Sequence, residues 1–163
     1  MLAKNLAVAL FVFPAVVFPR SPAPASAPAR YVDAIDWPSR EAGLQKFGLA
    51  EEMLNLSFER LCTDTFCDSD YQNLRPMQLS CSVDTSNATL KQCLWIFAGS
   101  FTTVNPESGA VQVSARVYRC KLRLARNTPV ESFYETMHGG HLLNEKLPMA
   151  RHTVYQDLLG CLP

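Results

Sequence analysis

Three alternating stretches of apolar and polar residues, separated by two turns, constrain this chain more than any other feature. Residues 77–83 alternate strictly, a long aromatic and β-branched run covers 89–104, and alternation returns over 111–124. A period of two places successive side chains on opposite faces of a strand. The intervening segments, 84–87 and 105–109, are rich in turn-forming residues. We therefore predict a three-stranded antiparallel meander, or a four-stranded sheet if another segment joins it.

Helical patterns precede and follow these strands. Segment 38–48 begins with a proline, and we expect Gly48 to end it. Segment 50–61 repeats apolar residues at helical spacing and predicts a second helix. A Thr-Pro start and a Gly-Gly stop bound a third helix over 129–138, and a threonine begins a short closing helix over 153–159. This order predicts an α+β fold in which the helices pack on one face of a disulfide-braced sheet.

The first 25 residues have the three-part organisation of a secretory signal. Lys4 precedes an apolar run over 6–18, and small residues follow at Ala23-Pro24-Ala25. The run has 13 residues, fewer than the ~20 that a membrane-spanning helix needs. We expect cleavage after this triplet, so that 1–25 is a signal peptide, 26–32 a flexible Pro/Ala/Ser-rich tail and 33–163 a single globular disulfide-containing domain. An uncleaved membrane anchor is the alternative.

Six cysteines lie in the predicted domain, and an even number in an exported protein predicts a disulfide framework. They are Cys62, Cys67, Cys81, Cys93, Cys120 and Cys161. A structural zinc site would need two close pairs and a redox motif would need C-x-x-C, and the sequence has neither arrangement. Across the two turns, Cys93 can reach either Cys81 or Cys120. We expect a Cys93–Cys120 bridge, which leaves the other four cysteines for two bridges between the helices and the sheet or tail.

The charge balance argues against a nucleic-acid partner. The chain has 15 basic and 15 acidic residues, and removing 1–25, which contains Lys4 and Arg20 but no acidic residue, leaves a net charge of −2. Binding to phosphates needs several clustered cations. The densest basic stretch, 116–126, places its cations on both faces of a strand. We interpret it as a solvated strand edge or face.

Two histidines are candidates for catalysis. His138 and His141, with Glu135 as an acidic partner, would serve a small secreted hydrolase. However, a Gly-Gly pair separates the histidines, so they do not share a helix face as in H-E-x-x-H, and the chain has no G-x-S-x-G motif. We therefore lean against an enzyme and leave the hydrolase as an alternative.

An acidic loop is a candidate calcium site. Asp64, Asp68 and Asp70 lie close together in sequence, and carboxylates are the ligands that a hard cation prefers. The spacing departs from the EF-hand pattern, because the required glycine is missing. We interpret the segment as a structural loop, expect no cofactor, and keep a calcium-stabilised structural module as a second alternative.

Four aromatic residues are candidates for a binding surface. Trp95, Phe97 and Phe101 share one face of the long predicted strand, and Tyr118 belongs to the next strand. Such a stripe ordinarily forms core. If the helices cover the other face of the sheet, the stripe becomes an exposed aromatic patch, which is typical of a partner or ligand surface.

Together these features predict a small exported binding protein, periplasmic or extracellular. We expect its rigid sheet to bind another protein, as an inhibitor, an immunity protein or an envelope accessory factor does. We infer a binding protein because the predicted domain is small and held by disulfides, and its sequence contains no complete catalytic motif. We expect no membrane span after the signal is cleaved.

Overall fold

The computed structural model describes residues 30–62, 65–68, 71, 73–139 and 142–163. The predicted signal and most of the predicted tail lie outside the described residues. The elements, in chain order, are β1 (Tyr31–Asp33), a 3-10 turn (Ala34–Asp36), α1 (Arg40–Cys62), a second 3-10 turn (Phe66–Asp68), β2 (Arg75–Asp84), β3 (Thr89–Val104), β4 (Val111–Leu122), β5 (Thr128–Pro129), α2 (Val130–Thr136) and α3 (Val154–Leu159).

The predicted antiparallel meander is confirmed. β2 pairs with β3 and β3 pairs with β4, while β1 adds to the outer side of β2 and β5 pairs with the first residues of β3. The pairing of β3 with β4 runs without a register shift from Cys93↔Leu122 to Val104↔Val111. The architecture is therefore α+β, with an antiparallel sheet to which two short strands are added.

The helices pack on one face of this sheet, as expected, and we call that face the inner face. Phe58 of α1 lies with its ring centroid 4.8 Å from that of Phe97 and 5.9 Å from that of Trp95. All three are fully buried, and Phe133 of α2 and Leu158 of α3 join the same core. Burial of large apolar side chains of this kind contributes about 1.5–3 kcal/mol each. The opposite face of the sheet, the outer face, receives no helix from the described part of the chain.

One prediction about the helices is wrong. Gly48 does not end the first helix, because α1 continues through it as a single helix from Arg40 to Cys62. A glycine inside a helix costs only about 1 kcal/mol relative to alanine. On either side of Gly48, Phe47 and Leu54 are buried in the hydrophobic core, and that burial outweighs the cost.

The expected Cys93–Cys120 bridge is also wrong, although all six cysteines are paired. The bridges are Cys62–Cys67, Cys81–Cys93 and Cys120–Cys161. A register shift between Ser82 and Val83 places Cys93 directly opposite Cys81, whereas Cys120 lies opposite Trp95. Cys120 is therefore free to bind Cys161, which fixes the C-terminal segment to the sheet.

The C-terminal segment is held at the end of β4 by polar contacts as well. Thr153 caps α3 in a reciprocal capping box with Gln156, as the sequence predicts for its N-terminus. The buried Asp157 carboxylate accepts a hydrogen bond from the backbone N–H of Arg123 at 2.7 Å and forms an ion pair with the Arg123 side chain. Within the described residues, no helix combines the length and the apolar character needed to cross a membrane.

Candidate functional site

The outer face of the sheet carries a group of exposed apolar side chains. Met77 of β2 is 62% exposed, and four valines of the β3–β4 hairpin are 52% to 68% exposed: Val104, Val111, Val113 and Val117. Single exposed apolar residues are common on any protein, but neighbouring ones mark an interaction surface.

The strand register makes these valines neighbours. Val104 pairs directly with Val111, and Val117 pairs with Ala98. Val113 is two residues from Val111 along β4, so the two side chains point to the same face. The apolar side chains thus form one continuous stripe along the outer face, which we call the valine stripe: Val104, Val111, Val113, Ala115 and Val117.

A shallow groove lies beside the valine stripe. It has a volume of about 380 Å³ and is lined by Arg75 and Met77 of β2, Ala98 of β3, and Ala115 and Val117 of β4, among others. The small side chains of Ala98 and Ala115 leave this space, while the larger Met77 and Val117 lie at its sides. The groove is therefore an apolar depression next to the valine stripe into which a side chain of a partner fits.

The valine stripe continues onto a projecting hairpin arm, residues 102–113. Every residue of the arm is exposed except Asn105, which is half-buried. The arm is nevertheless ordered at its tip, because the Asn105 side chain accepts hydrogen bonds from the backbone N–H groups of Glu107 and Ser108, both at 2.9 Å. Gly109 completes the turn with a φ of +69°. The arm is therefore a structured protrusion that presents both of its faces to solvent.

The charge beside the valine stripe is positive. Arg119 and Lys121 lie on the outer face of β4, opposite Ile96 and Leu94, and both are exposed. The acid at the far end of β2, Asp84, is already engaged by Ser86 and Arg30. Hydrogen bonds from Ser86 lower the pKa of Asp84, so its carboxylate stays charged and interacts with these two neighbours. The outer face thus combines apolar and basic character.

The structure resolves where the aromatic candidates lie. Trp95, Phe97 and Tyr118 point to the inner face and are at most 8% exposed. Phe101 is half-buried, with its ring centroid 5.4 Å from that of Tyr71. The helices cover the face on which the aromatic stripe lies, so Trp95, Phe97 and Tyr118 form core, as such a stripe ordinarily does, and the condition for an exposed aromatic patch is not met.

The catalytic and calcium candidates are only partly described. His138 and Glu135 are both exposed near the end of α2, whereas His141 lies outside the described residues. Asp64 and Asp70 also lie outside them, as does the side chain of Asp68. Among the residues that the structure does describe, no group of three or more His, Cys, Asp or Glu side chains is arranged to hold a metal ion.

Sequence reasoning missed the valine stripe as a candidate site. The alternation over Val111, Val113 and Val117 predicts a strand correctly, but alternation alone does not tell whether the apolar face is buried or exposed. A signal was present in β3, which is apolar at both parities around Trp95: Leu94 and Ile96 face outward. A strand of this kind is typical of a sheet that is covered on both faces.

Comparison with known proteins finds no match for this chain among protein-family models, curated proteins or solved structures. The outer face of the sheet is therefore the basis for a functional proposal.

Proposed function

We propose that this protein is a single-domain, exported binding protein that docks a partner protein on the valine stripe and the hairpin arm. The observation that carries the proposal is the continuous apolar stripe on a sheet face to which the described chain adds no helix. Inhibitors, immunity proteins and envelope accessory factors act through surfaces of this kind, and a rigid sheet presents such a surface without a large ordering cost on binding.

Export is supported by the cysteine chemistry. All six cysteines are in disulfides, and such bridges persist in oxidising compartments such as the periplasm or the extracellular space. The composition of residues 1–25 supports the same route. Mass analysis of the protein recovered outside the cytoplasm should give Ser26 as the first residue. A mature chain that retains Met1 would contradict a cleaved signal.

The valine stripe has the energetics of a modest protein interface. Val113 and Val117 are 68% and 52% exposed, so a partner that covers them removes about half or more of each side chain from water. Full burial of a valine contributes on the order of 1.5 kcal/mol, and half of that for each residue amounts to about tenfold in affinity for the pair. An aspartate at either position would add the cost of burying a charge.

The test is the double variant Val113→Asp/Val117→Asp, compared with Leu44→Asp. Leu44 is a matched control because it is also about half exposed, at 51%, but lies on α1 away from the outer face. Partners captured by the oxidised wild-type protein should be retained by Leu44→Asp and bound at least about tenfold more weakly by the double variant.

Both variants change exposed side chains and should melt within a few degrees of the wild type, which separates lost binding from lost folding. If the double variant captures the same partners with unchanged affinity, the valine stripe is not the docking surface.

A further inference from the structure

The two edges of the sheet differ in how far the chain itself protects them. On the β2 side, β1 pairs with residues 82–84, and the Glu51 carboxylate of α1 accepts the backbone N–H of Leu79 at 2.6 Å. On the opposite side, β4 pairs with β3 alone among the described strands. β5 does not cover β4, since it pairs with Leu90 and Thr89 of β3, beyond the position where β4 ends.

The free edge of β4 is regular over Val111–Arg119. This segment has no proline and pairs with β3 without a bulge. Alternate residues of an edge strand direct their N–H and C=O groups away from the sheet, and a regular edge is a template for another strand. Proteins commonly protect such edges with short strands, bulges or prolines. Along this part of β4 the protection is limited to charge.

The charged side chains along this edge are all positive. Arg116 lies on the inner face and Arg119 on the outer face, both exposed, and no acidic residue occurs between 111 and 122. The Arg116 guanidinium lies 5.4 Å from the centre of the Tyr118 ring, which holds it beside the strand. Neither arginine forms an ion pair within the described part of the chain. A second copy of this edge would place four arginines along one pair of strands, so the charge disfavours self-pairing.

We infer that the free edge of β4 pairs with an extended acidic segment of the partner protein, which adds a strand to the sheet. The inference rests on the proposed function and specifies how the partner is held. Backbone hydrogen bonds to β4 supply affinity, and side chains supply selectivity. β-branched residues of the segment would lie against Val113 and Val117, and carboxylates would lie against Arg116 and Arg119.

The probe is a capped, fluorescent peptide of sequence ETVEVTVTV, written antiparallel to Arg119–Val111. Its two glutamates fall opposite Arg119 and Arg116, and its valines fall on the outer face. In polarisation titrations against the full oxidised chain, the matched peptide with glutamine for glutamate should bind about tenfold more weakly, because two exposed charge pairs are lost.

Backbone pairing has a signature that ordinary surface docking lacks. N-methylation of the peptide at successive residues should abolish binding at alternate positions and leave it nearly unchanged at the positions between, because only alternate N–H groups face the partner strand. A uniform response along the peptide would overturn the inference.

Charge reversal gives the reciprocal test. Arg116→Glu/Arg119→Glu should lose preference for the glutamate peptide and bind a lysine-for-glutamate peptide instead. Arg60→Glu/Arg151→Glu, which makes the same charge change at exposed positions away from β4, should retain the wild-type preference. Equal binding of both peptides by the edge variant, or tighter self-association of the wild-type chain than peptide binding in sedimentation, would also overturn the inference.

Docking on the valine stripe and strand pairing at the β4 edge can be refuted independently of each other. If Val113→Asp/Val117→Asp loses its partners but the N-methyl scan is uniform, the outer face binds without strand addition. If the scan alternates but that variant keeps its partners, the edge binds strands and the valine stripe is not the docking surface.

Discussion

Replacing Gly43 by alanine should destabilise the fold, whereas the same replacement at Gly48 should stabilise it. Both glycines lie inside α1, where alanine is favoured over glycine by about 1 kcal/mol. A Cβ added at Gly48 has its nearest neighbour, the Ile35 Cδ1 atom, at 3.9 Å, which is ordinary contact. Gly48→Ala should therefore benefit fully from the higher helix propensity of alanine and raise the free energy of unfolding by about 1 kcal/mol.

At Gly43 the same Cβ would overlap with backbone. It would lie 2.1 Å from the Ile35 carbonyl oxygen and 2.9 Å from that of Ala34. These carbonyls belong to the 3-10 turn before α1, where Ala34 is fully buried and its oxygen accepts the N–H of Trp37. Overpacking against atoms that cannot move aside costs up to about 3 kcal/mol. After the helical gain is subtracted, Gly43→Ala should lower the free energy of unfolding by about 2 kcal/mol.

Urea unfolding of the oxidised protein, followed by far-ultraviolet circular dichroism, measures both changes on one scale. The two variants should differ from each other by about 3 kcal/mol with the same dependence on urea. If Gly43→Ala is as stable as Gly48→Ala, the turn before α1 is not packed on the helix as described, and the close approach at Gly43 does not explain why that helix contains a glycine there.

Two further stability predictions follow from the bridges and from a buried tyrosine. The chain-entropy model gives a stabilisation of about 4 kcal/mol for the Cys120–Cys161 bridge, whose sequence separation is 41, and about 2 kcal/mol for Cys62–Cys67, whose separation is 5. In urea unfolding, replacing both cysteines of Cys120–Cys161 by alanine should therefore destabilise the protein more than the same replacement at Cys62–Cys67. The reverse order would contradict the model. Burial, with smaller contributions from the charges of Glu131 and Asp33, raises the pKa of Tyr134 to about 12. The folded state therefore holds this proton more tightly than the unfolded state, and stability present below about pH 10 should be lost between about pH 10 and 12, by at most about 3 kcal/mol. Tyr134→Phe should remove that part of the alkaline loss, and an unchanged slope would refute the assignment.

The parts of the fold that follow from local chemistry were predictable. The three long strands were predicted because a period of two is a local property, and the turn at Asn105 because its side chain bonds the N–H groups of the next residues. The cap at Thr153 follows in the same way, since its partner Gln156 is three residues away. None of these features needs information from elsewhere in the chain.

The features that depend on long-range packing were not predictable in this way. The continuity of α1 through Gly48 depends on how much Phe47 and Leu54 gain from burial in the core, and the helix sequence alone does not determine that burial. The pairing of Cys93 depends on one register shift between Ser82 and Val83. A register shift of one residue decides which cysteine lies opposite Cys93. Counting residues from the two turns therefore identifies Cys81 and Cys120 as possible partners of Cys93 but does not choose between them.

The candidate site illustrates the same limit, because both faces of β3 are apolar. Trp95 and Phe97 lie on one face and Leu94 and Ile96 on the other, and the pattern alone does not tell which set the helices cover. With the helices on the aromatic face, Leu94 and Ile96 remain half-buried on the outer face, the face that also carries the valines of β4. A single hydrophobic core covers only one face of the sheet, so the apolar side chains on the second face are not needed to form the core of this fold. That excess is the physical reason to expect that another protein forms the second layer on the outer face.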